Sequence, residues 1–313
     1  MPKIVFFGTS EFAVPALKAL IKNGMPPAAV VTSPDRPAGR KKKLRTSPVK
    51  SWIIEYEAYN EKLIQPEKLD HDFILRVSNL MPNIGIIAAY GKILPKELID
   101  IFPQGILNIH SSLLPKYRGA SPIQSAILNG DSETGVSIIL LDEKTDHGSI
   151  VAKREFSILN SQFSITYTQL HDALAELGAE LLFETIPKWM NGEIIPHPQD
   201  DSRATFTKLI KKEDGRIDWS KNAEEIEKMV RAYNPWPGTF TDAGGKKLKI
   251  IKAAVIDAPQ SIKPGKFFKS GGFPAIACGK DALKLLIVQP ESKKEMAGNA
   301  YLLGHPNLLD SAS

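Results

Sequence analysis

The sequence predicts two domains of different class: an α/β unit on a Rossmann-like, mostly parallel sheet, followed by a small OB-like β-barrel. Three observations carry this expectation. At 313 residues the chain has room for about two domains of ordinary size. Its first two thirds alternate short apolar runs with stretches of helical period, the pattern of successive βαβ units. Its last third breaks into strand-length runs separated by Gly244-Gly245, Pro264-Gly265, Gly271-Gly272 and Gly279-Lys280-Asp281, which are turn signals at short spacing.

Taken in order, residues 3–7 are an apolar run and Gly8-Thr9-Ser10 a turn with a capping residue. Val14, Leu17, Leu20 and Ile21 then recur at helical spacing. Residues 28–32 predict a second strand, and Ser47-Pro48 supplies an N-cap and first-turn proline for a helix through Trp52, Ile53 and Tyr56. Helix is expected over 70–79, buried strand over 84–89, a short helix over 96–102 and strand over 106–109. Ser121-Pro122 opens a helix to residue 129, residues 136–141 form a sixth apolar run, and 167–191 read as a long amphipathic helix. The expected division is therefore 1–190 for the α/β domain, 191–205 for a proline-containing linker without period, and 206–313 for the barrel. This last domain starts with a helix over 223–233, and its strands are expected at 248–256, 266–269, 275–278 and 282–289.

Composition narrows the function classes. Hydrophobic residues at 42% and charged residues at 24% exclude wholesale disorder and collagen-like repeats. The single cysteine, Cys278, excludes an internal disulfide, and no Cys/His cluster has the ligand count of a zinc site, so no metal is expected. No apolar run approaches the ~20 residues that cross a bilayer, and the N-terminal residues lack a secretory pattern, so no membrane association and a cytoplasmic location are expected. The net charge of +5 is uneven, with 18 Lys/Arg against 12 Asp/Glu from Phe206 onward. The residues before Phe206 are near neutral, but a dense basic run interrupts them. It consists of Arg40-Lys41-Lys42-Lys43 with Arg45, in a segment that Pro34, Pro37 and Gly39 mark as loop. A basic loop and a basic rear domain point to a polyanionic partner.

Chemistry-bearing residues concentrate after one strand. Alternation at the end of the 106–109 strand sends Asn108 and His110 to one face. An amide there can donate to an oxyanion and an imidazole can hold a proton near neutral pH, the two functions that attack on a carbonyl requires. Asp142, Asp146 and His147 follow the next strand, where a carboxylate could orient His110 if the loops converge. The first turn lacks the glycine fingerprint of a dinucleotide site, because Ser10 and Ala13 occupy the later glycine positions.

Long ordered segments of this chain resemble the methionyl-tRNA formyltransferase family: VFFGTSEFAVPAL, TSPDRPAGRKKKL with SPVK, AAYGKILP, NIHSSLLPKYRGASPIQSAILNGD, GVSIILLDEKTDHGSI, RIDWS and RAYNPWPGTF. NIHSSLLP with the later aspartate is shared by the wider folate-dependent formyltransferases and hydrolases, whereas the basic loop and the NPWP segment match the tRNA enzymes. The resemblance implies formyl transfer from 10-formyltetrahydrofolate, without a metal, to the α-amino group of methionyl initiator tRNA. It places the catalytic trio on Asn108, His110 and Asp146. It places the folate contacts on Ser112, Leu113, Leu114 and Pro115, with Ile87, Ala88, Ala89 and Tyr90 lining the pterin pocket. Recognition of tRNA falls on the loop from Asp35 to Leu44, through Arg36, Arg40, Lys42 and Lys43, and the chain is expected to act as a monomer. Two positions depart from the family pattern: Lys41 stands where glycine is common, and His147 where threonine usually follows the aspartate. Two other readings are a formyltransferase or formyl-folate hydrolase with a non-tRNA acceptor, which would share Asn108, His110 and Asp146, and an RNA-binding module on an α/β scaffold, which would leave those three residues without a role.

Overall fold

A computed structural model describes residues 2–38, 43–56, 62–158 and 164–309. The chain divides into two compact units, the first of Met1–Gly119, Glu133–Ser157 and His171–Thr207, the second of Ala120–Ser132, Ile158–Leu170 and Lys208–Ser313. Two segments that precede residue 190 thus group with the C-terminal residues.

The first unit is built in the order β1 (Ile4–Gly8), α1 (Ala13–Lys22), β2 (Ala29–Val31), β3 (Arg36–Ala38), β4 (Lys43–Arg45), α2 (Pro48–Glu55), β5 (Leu63–Ile64), α3 (His71–Ser78), β6 (Ile84–Ala88), α4 (Lys96–Ile99), β7 (Ile106–His110) and β8 (Arg118–Gly119). After α5 (Pro122–Asn129), which belongs to the second unit, follow β9 (Glu133–Leu140), β10 (Ile150–Ser157), most of α6 (Tyr167–Met190) and β11 (Phe206–Thr207). Local chemistry sets the boundaries. Ser47 caps α2 by accepting the Lys50 amide at 3.0 Å, Asp70 caps α3 through the Phe73 amide at 3.3 Å, and α5 stops at Gly130 in the left-handed region, φ 69°.

One seven-stranded sheet runs β10-β9-β7-β6-β1-β2-β5. The five strands from β5 to β7 are parallel, and β9 and β10 add antiparallel pairs. β1 and β6 are buried along their whole length, as central strands covered on both faces must be. β1 pairs with β2 on one side and β6 on the other, so the strand order reverses there. The crevice beyond their C-terminal ends is the usual ligand position of such a sheet. Two features differ from expectation. β10 holds three charged residues in a row, Lys153-Arg154-Glu155, with exposed and half-buried positions alternating along the sheet edge, so no alternation or long apolar run in the sequence marks it. The basic segment expected as loop is flanked by a hairpin, with Arg36, Pro37 and Ala38 opposite Arg45, Leu44 and Lys43.

The second unit continues with α7 (Ala223–Tyr233), β12 (Thr239–Ala243), β13 (Lys246–Ile256), β14 (Phe267–Ser270), β15 (Phe273–Ala277), β16 (Ala282–Pro290), β17 (Met296–Ala297) and α8 (Gly298–Leu303). Its strands form an antiparallel sheet ordered β12-β13-β16-β15-β14, with β17 on β16. Ile226 and Val230 of α7 join Leu248, Ile250, Leu283, Leu285 and Val288 in one core. Among the described residues no strand pairing closes this sheet into a barrel.

Candidate active site

The C-terminal end of β7 brings the expected trio together. His110 is 6% exposed, and its Nε2 lies 2.9 Å from the Tyr117 carbonyl. A carbonyl only accepts, so Nε2 carries a hydrogen and Nδ1 is the atom at which a proton can arrive or leave. Nδ1 faces the Asp146 Oδ1 at 3.5 Å. The same oxygen lies 3.4 Å from the Asn108 amide nitrogen, a long contact of the kind that tightens when substrate fills a site. The other oxygen, Oδ2, accepts the Gly119 amide at 2.8 Å. Asp146 has φ 47°, a conformation rare for a residue with a side chain and one that concentrates at functional sites.

Supporting residues come from a stretch that composition marks as a linker. His197 and Ile150 exchange backbone hydrogen bonds at 2.8 and 2.9 Å, and β11 pairs in parallel with β8. Thr205 accepts the Arg118 amide at its carbonyl and the Tyr117 amide at its hydroxyl, both at 2.8 Å. Between these ties the Gln199 amide nitrogen donates to the carbonyls of Asp146 and Gly148, each at 2.8 Å. Arg118, 3% exposed, donates to Gln199 at 3.0 Å and to Asp201 at 2.7 Å, and holds the Asp201 carboxyl below the usual carboxylate range. The backbones fit closely: a Cβ on Gly119 would stand 2.6 Å from the Thr207 carbonyl oxygen, and a Cβ on Gly148 would overlap that of Leu140. His147 turns to Asp142 at 2.5 Å and to Asp201 at 3.5 Å. Gln199, Thr205 and Asp201 escape sequence reasoning because the stretch has no period. The one available signal is the arginine of KYRGA in a segment otherwise apolar enough to bury it.

The expected folate residues fall on two neighbouring strand ends. Ser112 and Leu114 are fully buried, and Ser137 braces them by accepting the Leu114 amide at 3.0 Å and donating to the Ser112 carbonyl at 2.7 Å. Lys153 donates to the Leu114 carbonyl. Leu113 and Pro115 are half-buried beside them. At the end of β6, Ile87 and Ala88 are buried, whereas Ala89 is exposed with φ 43°. Tyr90 turns its ring inward against Phe7, with centroids 5.6 Å apart, so it faces the core and only its backbone is at the crevice. There its carbonyl accepts the Thr9 hydroxyl at 3.0 Å.

The basic segment is anchored more firmly than it is covered. Lys50 donates to Asp35 at 2.7 Å and to Gln65 at 2.8 Å, while the Gln65 amide donates back to Asp35 and to the Ser33 carbonyl, both at 2.9 Å. These bonds hold the Asp35 carboxyl below its usual range. Arg36 pairs with Glu67 at 2.6 Å on the open surface. Arg40 and Lys42 lie outside the described residues, and Lys43 opens β4. In the second unit, burial and the charges of Lys212 and Lys249 lower the pKa of Lys247, whose ammonium sits 3.3 Å from the centre of the Phe240 ring. Among the described residues no His/Cys/Asp/Glu group could hold a metal ion, and no helix is long and apolar enough to cross a membrane.

Comparison with known proteins gives the family. Residues 2–186 match the formyl transferase family and residues 209–306 the formyl transferase C-terminal domain. The methionyl-tRNA formyltransferase of Chloroflexus aurantiacus is 48% identical over 305 residues, 96% of each chain. The chain belongs to the methionyl-tRNA formyltransferase family. The enzyme is also 43% identical to the methionyl-tRNA formyltransferase of Caldanaerobacter subterraneus over 97% of both chains. Its fold matches that of the Helicobacter canadensis N-formyltransferase, solved with folinic acid and dTDP-3-aminofucose. The TM-score is 0.66 at 20% identity, over 91% of this enzyme and 99% of that one.

Proposed function

We propose that this enzyme transfers the formyl group of 10-formyltetrahydrofolate to the α-amino group of methionyl initiator tRNA, with Asn108, His110 and Asp146 as its catalytic residues. The observation that carries the assignment is the convergence of Asn108 and the His110 Nδ1 on one Asp146 oxygen, in a chain of this family.

The amine nitrogen bonds to the formyl carbon, and the bond from that carbon to N10 of the folate then breaks. His110 takes the amine proton at Nδ1, because Nε2 is committed to the Tyr117 carbonyl, and returns a proton toward the departing N10. Asp146 supports the imidazolium while it exists, as an opposite charge at 3.5 Å in a site shielded from water must. Asn108 has two amide hydrogens. One reaches toward Asp146, and the other is available to the oxyanion that forms as nitrogen attacks.

The folate is held by Ser112, Leu113, Leu114 and Pro115 and by the strand end from Ile87 to Tyr90, which the switch in strand order supports. Acceptor tRNA is gripped by the basic segment from Asp35 to Leu44 through Arg36, Arg40, Lys42 and Lys43, and by an OB-like C-terminal domain over 206–313. The catalytic domain covers 1–190, with 191–205 between the two, and the enzyme works as a cytoplasmic monomer. Formyl transfer from 10-formyltetrahydrofolate to charged initiator tRNA, run beside charged elongator methionine tRNA, tests the assignment. Rapid formylation of the initiator alone is expected, and transfer only to a small amine such as an amino sugar nucleotide would overturn it.

A further inference from the structure

We infer that Gln199 is a positioning residue for the reaction: anchored by Arg118, it holds Asp146 in the backbone conformation that aims its carboxylate at His110. This rests on the catalytic role proposed for Asp146. With φ 47°, Asp146 lies in the left-handed region, which aspartate visits more readily than most residues but still at a cost, so a bond that fixes the turn favours it.

Gln199 supplies the fixing bonds. Its amide nitrogen donates to the carbonyls of both Asp146 and Gly148, at 2.8 Å each, and so closes the turn around His147 with one group. The orientation of that amide follows from Arg118. A guanidinium only donates, so Oε1 must face Arg118 and both amide hydrogens must face the two carbonyls. Arg118 is buried and tied at its far end to Asp201. The next residue, Gly119, donates its amide to the Asp146 Oδ2. Residues 118 and 119 therefore set the acid twice, its backbone through Gln199 and its side chain directly. The stretch carrying Gln199 is itself tied down at His197 and at Thr205, so the positioning group rests on fixed points on both sides. If the turn relaxes, Oδ1 moves away from Nδ1, and displacements near 1 Å cost rates of about 10²-fold.

The test is a double-mutant cycle in the full-length enzyme. Gln199→Leu is expected to lower kcat by roughly 10–100-fold while the KM values for formyl donor and charged tRNA change by less than about 3-fold. In an Asp146→Asn background the same change should cost less than about 2-fold, because the group it positions is already disabled. Gln199→Glu keeps the Arg118 partner but cannot donate to the two carbonyls. Its second oxygen would face and repel those carbonyls, so it should lose kcat at least as Gln199→Leu does while its unfolding stays cooperative, which covers the case in which the leucine variant is unstable. Full activity of Gln199→Glu, or equal losses from Gln199→Leu in both backgrounds, would overturn the inference. Asp146→Asn that retained its kcat would instead overturn the role of Asp146 on which it rests.

Discussion

The corner around His110 and the basic hairpin are both assigned to substrates, yet they are built on opposite plans. In the corner His110 is 6% exposed and each of its ring nitrogens has a protein atom facing it, while Asp146 is held through both its carboxylate and its backbone. On the hairpin Arg36 is 66% exposed, as is its partner Glu67 from beyond β5, and Leu44, opposite Pro37, is 73% exposed. An exposed ion pair holds its partners by at most about 1 kcal/mol, so Arg36 can exchange Glu67 for a phosphate at little cost. Only the hairpin's root, at Lys50, Asp35 and Gln65, is bonded as densely as the corner. The contrast follows from the tasks. Proton transfer needs two or three atoms at fixed distances, whereas the polyanion binding proposed for the basic segment needs charge that can change partners.

The corner is broken most directly by His110→Ala. Loss of the proton carrier is expected to reduce formyl transfer by about 10²–10⁴-fold. Binding of a tetrahydrofolate analogue should stay within a few-fold, because the loop from Ser112 to Pro115 is braced by Ser137 and not by the imidazole. Single-turnover transfer and equilibrium titration separate the two, and turnover within a few-fold of the parent would remove His110 from the mechanism.

The hairpin should respond in the other coordinate. Replacing Arg40, Lys42 and Lys43 with alanine is expected to raise KM for charged tRNA and spare folate binding. The plot of log affinity against log salt should flatten by up to about 0.9 for each phosphate that is no longer neutralised. Discrimination between initiator and elongator tRNA should weaken with it. Titrations at several salt concentrations decide the matter, and an unchanged slope would return the hairpin to the status of a solvated basic surface.

Which of these features could be seen beforehand depended on how local their causes are. Asn108 and His110 were legible because two residues of one strand need only the period of a strand to share a face. The helix at 122–129 was legible from its Ser-Pro opening and that at 223–233 from its own helical pattern, signals local to the elements, although Ser121 makes no side-chain cap bond. Asp146 entered through family resemblance, since its approach to His110 depends on the course of a loop. Gln199 was beyond reach for a stronger reason: its bonds join positions 81 and 53 or 51 residues apart, from a segment with no repeat to mark it. β10 was hidden by its own solvent-facing charges, and the second domain's strands were readable while their closure was not.

His147 sharpens the comparison from inside the corner. It lies between the two carbonyls that Gln199 holds, but its ring is turned to Asp142 and Asp201. The turn is therefore closed without its side chain. His147→Thr, which restores the residue usual in the family, should leave kcat within about 3-fold, in the range of substitutions that remove partly exposed pairs. A collapse as deep as that of Asp146→Asn would show that the imidazole takes part in the chemistry.

Tyr90, in the core beneath the end of β6, lacks the dense bonding of the corner, and it gives the smallest expected effect. Its ring is 2% exposed, and its hydroxyl is a buried polar atom without a partner among the described residues. An unpaired buried hydroxyl costs about 1 kcal/mol or more, so Tyr90→Phe should leave stability at pH 8 unchanged or raise it by about that amount. The pH dependence gives a second, independent sign. Burial pushes the Tyr90 pKa up to about 12, from an ordinary value near 10. Below pH 10 the group is neutral in both folded and unfolded chains and contributes nothing to the slope. Between pH 10 and 12 the unfolded chain ionises first, and stability falls as pH rises. The phenylalanine variant lacks this loss, so its stability should decline less over that interval. Urea unfolding at pH 8 and pH 10.5 measures both effects. If the variant is instead destabilised by a kcal/mol or more at pH 8, the hydroxyl has a bonding partner in solution. If it binds a tetrahydrofolate analogue about tenfold more weakly at unchanged stability, that partner is the folate, and Tyr90 belongs to the pocket by its side chain as well as its backbone.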